Sequence, residues 1–181
     1  NIEYVKKKIR ELQEKYEKEI KPNETDYNEP NTKKGFIEPI LRILNWDTED
    51  INHVDAEFPI KNQRSSGSAD YALKVNEEVK LLLEAKSFDK DLETGYDVVY
   101  GQKRTYVEQL VGYAFDLNRY MITRISYCIL TNGKEWRIYN VQWQGVAFDK
   151  KLVFVIKIEE FIAKFQKFWS LERGNVMKGD I

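Results

Sequence analysis

The sequence predicts an α/β domain: a central mixed β-sheet flanked by helices, with an extra amphipathic helix at the N-terminal end. Three observations point there. The chain opens on helical spacing, its middle holds short strand-like runs bounded by turn residues, and helical spacing returns between and after those runs. At 181 residues it suits one core, because domains most often run to roughly 100–200 residues.

In "NIEYVKKKIRELQEKYEKEI", Ile2, Val5, Ile9, Leu12 and Tyr16 fall at helical spacing, with charges elsewhere that read as a solvated face. Pro22 and Pro30 in "KPNETDYNEPN" interrupt that helix. A second helix follows through "EPNTKKGFIEPILRILNW", where Pro30 suits the first turn and Pro39 bends the helix or resets its start. Its buried stripe is Phe36, Ile37, Ile40, Leu41, Ile43 and Leu44. The strand-like runs "INHVDAEFPI", "SADYALKV" and "EVKLLLEAK" come next, the last two joined at Asn76-Glu77. "SFDKDLETGYDVVYGQ" reads as a polar connection. A third helix, "KRTYVEQLVGYAFDLNRY", turns Val107, Leu110, Val111, Ala114 and Leu117 to the core. Strands "SYCILT", "EWRIYNV" and "KLVFVIK" and a closing helix "IEEFIAKFQKFW" complete the order.

Hydrophobic residues make up 42% and charged residues 33%, an ordinary globular balance. The net charge of −1 argues against a stand-alone nucleic-acid binder, which usually carries a basic excess. It leaves room for an enzyme whose metal-binding carboxylates lower the count. Cys128, the single cysteine, reads as an inert core thiol. With no bilayer-length apolar run and no leader-like segment, a cytoplasmic setting is expected. The start at Asn1 and the polar end "LERGNVMKGDI" suggest a domain excised from a longer polypeptide, or processing that removed the first residues.

The chemistry centres on Glu84-Ala85-Lys86, which closes the apolar run Leu81-Leu82-Leu83. Residues i and i+2 of a strand share a face, so Glu84 and Lys86 point together while Leu83 and Ala85 point the other way. Charges at the end of an apolar strand are costly unless paired or bound to an ion. Counting back from the Asn76-Glu77 turn, Asp70 falls opposite Leu83 or Glu84. Two carboxylates with water and phosphate oxygens suit Mg²⁺. A lysine beside them suits metal-assisted phosphodiester hydrolysis, orienting or deprotonating water and offsetting developing charge. Glu19-Ile20-Lys21, Glu78-Val79-Lys80 and Asp149-Lys150-Lys151 share the acid-x-Lys spacing, but only Glu84-Ala85-Lys86 combines an apolar approach with an upstream acid at hairpin distance. The plain alternative is a surface Glu–Lys pair.

Residues 28–140 carry a resemblance. "NEPNTKKGFIEPILRILNWD", "ADYAL", "LLLEAK", "QLVGY" and "ILTNGKEWRIY" occur in the order found in the PD-(D/E)xK nucleases. They are most similar to the N-terminal nuclease domain of type I restriction-enzyme R subunits and of related fused type II restriction–modification proteins. Asn45 stands where that family usually has Gly, and Ala69-Asp70 where it has Pro-Asp. The resemblance implies a restriction-endonuclease-like core, with residues 1–25 as an N-terminal helix, 26–170 as the nuclease domain and 171–181 as a tail or a linker to a missing domain. It implies Asp70, Glu84 and the Ala85 carbonyl as Mg²⁺ ligands (Mn²⁺ substituting), Lys86 as the catalytic lysine, and Gln109 and Tyr113 as the Q-x-x-x-Y pair. It also places an acid on the opening helix. At 100° per residue Glu29 lies within about 40° of the apolar stripe and Glu38 about 140° away, so Glu29 is preferred.

The implied activity is Mg²⁺-dependent endonucleolytic cleavage of double-stranded DNA, leaving 5′-phosphate and 3′-hydroxyl ends, within a restriction or restriction–modification system. Motor, methyltransferase and specificity functions would belong to further domains or subunits. The other class is a catalytically inactive nuclease-fold module for DNA binding or subunit docking. Arg64, Ser65 and Ser66 in the basic loop "KNQRSSGS" are candidate phosphate contacts, although an ordinary hairpin loop explains them as well. His53, the sole histidine, reads as structural. Phe161, Phe165, Phe168 and Trp169 read as packing or as a contact to a following domain. No G-x-x-x-x-G-K-[ST] loop occurs, so no ATP site is expected in this chain.

Overall fold

The computed structural model of the chain describes residues 1–61, 66–99, 101–120, 124–179 and 181, and it leaves the side chains of residues 61, 66 and 99 aside. Arg64 and Ser65 lie outside the described residues, and Ser66 is placed only by its backbone. Six strands form one sheet: β1 (Val54–Lys61), β2 (Ser66–Val75), β3 (Glu78–Ala85), β6 (Tyr127–Thr131), β7 (Glu135–Asn140) and β8 (Leu152–Lys157), in the order β1-β2-β3-β6-β7-β8. Among the described residues only the β3–β6 pair is parallel. The sheet is therefore mixed, with helices flanking it and an N-terminal helix α1 (Ile2–Lys15).

The central strand is covered on both faces, which is why it reads as an unbroken apolar run. Leu81, Leu83 and Ala85 pack with Ile9, Phe36, Ile40, Trp46 and Trp136 in one core. Leu82 packs with Cys128, Leu130 and the buried side of the crossover helix, Tyr106–Tyr120, in the other. Burial holds the Cys128 thiol well above the usual range, as expected of an inert core cysteine.

The helix that precedes the sheet carries a built-in correction. It runs as α2 (Glu29–Thr32), a π-helical turn (Lys33–Ile37) and α3 (Glu38–Ile43). Asn28 caps its start by accepting from the Asn31 N–H at 2.9 Å. Pro39 has no N–H to offer the Gly35 carbonyl four residues back. That carbonyl accepts instead from Lys15 Nζ at 3.2 Å, which ties α1 across the break. The helix ends on Asn45 at φ 62°, with the Trp46 N–H returning to the Leu41 carbonyl and the Asn45 N–H to that of Arg42. This is a left-handed helix stop that Asn tolerates almost as well as Gly, so Asn45 in place of the family's glycine keeps the geometry.

Three expectations need correction. The stretch 87–102 is not all connection: β4 (Tyr96–Val99) and β5 (Gln102–Thr105) form a two-stranded hairpin, so α4 (Tyr106–Tyr120) begins later than its helical spacing suggested. The closing helix is broken into a 3-10 turn (Ile158–Glu160) and α5 (Phe165–Trp169), its aromatics stacking as Phe161–Phe168 and Phe165–Trp169 rather than along one face. Residues 171–181 are no loose tail. Leu171 and Val176 are buried, α6 (Arg173–Lys178) packs on the core, and Trp46 Nε1 donates to the Leu171 carbonyl at 3.0 Å. Two apolar residues of the segment, Leu171 and Val176, are buried in the core, too few to stand out in a polar stretch.

The β2–β3 hairpin decides the register of the charged residues. At the turn, Asn76 and Glu77 both have positive φ, 52° and 67°, and Val75 pairs with Glu78. A bulge then follows: Lys74 pairs with Val79 but Leu73 with Leu81, leaving Lys80 as the extra residue. The ladder continues to Tyr71–Leu83. That shift of one settles the two positions left open opposite Asp70, because the register carried on meets Glu84.

Glu77 is a β-carbon residue in a left-handed conformation that favours glycine at the second position of such turns. Glu77→Gly is expected to raise the unfolding free energy by about 1 kcal/mol, read by urea denaturation. A less stable variant would contradict the turn described.

Candidate active site

Beyond Tyr71 and Leu83 the two strands part, and the Ala85 N–H loses its ladder partner. Asp70 Oδ2 accepts from it at 2.7 Å, a side chain standing in for a strand carbonyl. Glu84 follows on the same strand, and its Oε1 lies 3.1 Å from Lys86 Nζ. Lys86 Nζ also meets Asp97 Oδ2 at 3.0 Å and sits 4.7 Å from the centre of the Tyr106 ring. Asp70, Glu84 and Lys86 are 8%, 5% and 7% exposed, so this is a buried charge cluster and not a surface ion pair. A Glu–Lys pair on a solvated strand face is thereby excluded.

Burial and then the neighbouring Asp70 push the Glu84 carboxyl up to about 7, and together they outweigh the Lys86 ammonium beside it. Burial pulls Lys86 down, but Glu84 and Asp97 more than compensate and hold it above the ordinary lysine range. In the metal-free protein Lys86 is thus a firmly protonated donor.

Glu29 comes to the site from the start of α2. Burial and the charge of Asp70 raise its carboxyl. Its Oε1 lies 3.7 Å from Lys33 Nζ, which also pairs with Asp70 Oδ1 and, at 3.2 Å, with Glu57 Oε1. Glu38 is elsewhere: its Oε1 accepts from the Tyr71 hydroxyl at 3.1 Å and its Oε2 lies 3.7 Å from Arg42. Of the two acids on this helix, Glu29 thus stands beside Lys33 and the cluster, and Glu38 packs against Tyr71 of the sheet.

Gln109 and Tyr113 lie one turn apart on α4, with Gln109 Nε2 donating to the Tyr113 hydroxyl at 3.1 Å. Burial raises the Tyr113 hydroxyl, Gln109 partly offsets that, and Glu84 adds to it. A β-carbon on Gly67 would fall 2.8 Å from that hydroxyl, so the glycine leaves room for Tyr113 against β2. His53 precedes β1, with its Nδ1 buried and unbonded, and has no contact with the cluster described here.

Four contributors were not singled out from the sequence: Lys33, Glu57, Asp97 and Tyr106. Lys33 had a legible signal, since it stands four residues after Glu29 on one helix. Asp97 was hidden in the stretch read as connection. Glu57 lies in β1 across from Asp70, but at φ 51°, a backbone state that its sequence does not announce.

The donor set fits a hard divalent cation. Glu84 Oε2 is buried and has no hydrogen-bond partner, a costly state that a cation would relieve. Among the described residues no three His, Cys, Asp or Glu side chains form a ready-made metal group. A cation bound here would draw on Asp70, Glu84 and main-chain oxygen, with water completing its shell, a donor set of the kind Mg²⁺ takes. A cavity of about 570 Å³ between α1, α3 and Trp169 includes none of these residues.

The fold and the cluster define a mixed-sheet α/β domain with a buried carboxylate–lysine centre. Residues 52–146, just over half of the chain, match the family described as type I restriction enzyme R protein N terminus (HSDR_N). The chain belongs to that family, which places it in a restriction-enzyme context. No curated protein and no solved structure matches it. No described helix is long and apolar enough to cross a membrane.

A raised carboxyl stabilises the fold below its unfolded value, about 4.3, and that contribution is lost as pH rises through about 7. Metal-free protein should therefore lose on the order of a few kcal/mol at this residue between about pH 4.5 and about pH 7.5. Glu84→Gln removes the loss. Its melting temperature should exceed that of wild type at about pH 8, with the gap narrowing at about pH 5. A gap independent of pH would show that Glu84 is not the group responsible.

Proposed function

We propose that this domain is a Mg²⁺-dependent endonuclease of the PD-(D/E)xK type, with a restriction-endonuclease-like core, that hydrolyses phosphodiester bonds of double-stranded DNA for a restriction enzyme. The observation that carries the reading is the buried, unpartnered Glu84 Oε2 beside Asp70 and a protonated Lys86. Asp70, Glu84 and the Ala85 carbonyl would hold the ion. A divalent cation there supplies Lewis acidity to a phosphate oxygen and lowers the pKa of bound water.

The chain's own groups do the rest. The Ala85 N–H fixes Asp70, so its carboxylate is oriented before any ligand arrives. Lys86, held protonated by Glu84 and Asp97, offers a directed positive charge to the scissile phosphate and orients the attacking water. Tyr106 supports its ammonium from the ring face. Gln109 and Tyr113 present a paired amide and hydroxyl from α4 toward the same end of β2, placed to steady a phosphate backbone. With a net charge of −1, the main grip on DNA falls to other segments of the restriction enzyme, together with Arg64, Ser65 and Ser66.

In the full restriction enzyme, Lys86→Ala should lower DNA cleavage by about two orders of magnitude or more, while DNA binding and Mn²⁺ binding persist. Asp70→Asn should lose both cleavage and Mn²⁺ binding, measured by calorimetry. Cleavage by Lys86→Ala at the wild-type rate would remove the lysine from the mechanism. A wild-type enzyme that binds DNA but never cuts it would favour the inactive docking module.

A further inference from the structure

The Lys33 ammonium faces three carboxylates from three elements. Its Nζ pairs with Asp70 Oδ1, lies 3.2 Å from Glu57 Oε1 and 3.7 Å from Glu29 Oε1, and stands 6.0 Å from the centre of the Tyr71 ring. The side chain is 14% exposed. A lone surface lysine gains little from such pairs, and three acids from three elements around one ammonium is the surrounding of a coordinated cation. Glu57 reaches it from a left-handed backbone position in β1, a strained conformation of the kind that persists where the site requires it. Glu57 is held further by Ser68 Oγ at 3.4 Å.

The cluster holds five carboxylates, Asp70, Glu84, Glu29, Glu57 and Asp97, against two ammoniums, Lys33 and Lys86. Formal charge alone admits one divalent ion or two, so the position of Lys33 decides between them. The two lysines divide the space: Lys86 stands on the Glu84 side and Lys33 on the far side of Asp70.

We propose that Lys33 is a resident cation filling the place of a second divalent ion, so that this centre takes one metal. The inference rests on the metal-binding reading of Asp70 and Glu84 and adds a positioning role for a residue outside the acid-x-Lys motif. Lys33 sets the number of ions and holds Asp70 Oδ1 while Ala85 holds Oδ2. Removing its charge should free Asp70, Glu57 and Glu29 to take up a second ion.

The test is Mn²⁺ stoichiometry on the purified chain, by calorimetry and by electron paramagnetic resonance of free Mn²⁺, with folding checked by circular dichroism. Wild type should bind one ion, Lys33→Met two, and Lys33→Met combined with Glu57→Gln one again. Lys33→Arg, which keeps the charge, should bind one. If Lys33→Met does not fold, Lys33→Gln replaces it, retaining a donor to Asp70 without the charge. Two ions on wild type, or one on a folded neutral variant, overturn the role of Lys33 and leave the metal reading intact. A folded wild type that takes up none, while Asp70→Asn behaves identically, overturns the metal reading and this inference with it.

Discussion

The hydrogen bond from the Ala85 N–H to Asp70 is the contact on which the site depends. It forms where β2 and β3 part, so the same event that ends the ladder fixes the first carboxylate. The bulge at Lys80 sets it up, because without that extra residue Asp70 would meet Leu83 and Glu84 would stand out of phase. Three leucines bury the strand on both faces and keep its end from moving. The rigid element comes from packing, and the chemistry from the two residues beyond it.

That arrangement stores an electrostatic cost in the metal-free fold. Burial and the neighbouring Asp70 raise the Glu84 carboxyl, and Glu84 is left with an oxygen that nothing satisfies. Lys33 and Lys86 relieve part of this from opposite sides. Such a centre is poorly suited to stability alone, since a hydrophobic pair of similar volume would serve better. Conserving charge at that cost makes sense in a site that must bind charge, and this agrees with the restriction-enzyme family to which the chain belongs.

Much of this was legible in the sequence. The alternation that separates Leu83 and Ala85 from Glu84 and Lys86 follows from strand geometry: Leu83 and Ala85 lie in one core, and Leu82, two residues before Glu84, lies in the other. The Asn76-Glu77 turn sits where turn chemistry placed it. What stayed hidden depended on tertiary detail. The bulge has no residue signature at Lys80, so the position opposite Asp70 was left one residue uncertain. Asp97 belongs to a hairpin too short and polar to separate from a loop. Glu57 enters through a backbone conformation rather than a side-chain pattern, and the segment after Trp169 packs through two apolar side chains, Leu171 and Val176, and the hydrogen bond from Trp46 to the Leu171 carbonyl.

The most direct measurement of the central claim is anomalous diffraction from crystals of the protein soaked in Mn²⁺. The account predicts a manganese peak within about 2.3 Å of carboxylate oxygens of both Asp70 and Glu84, with the Ala85 carbonyl as a third protein ligand and the Lys86 ammonium beside it. Manganese bound only at other carboxylates, with Asp70 and Glu84 keeping the contacts described here, would contradict it.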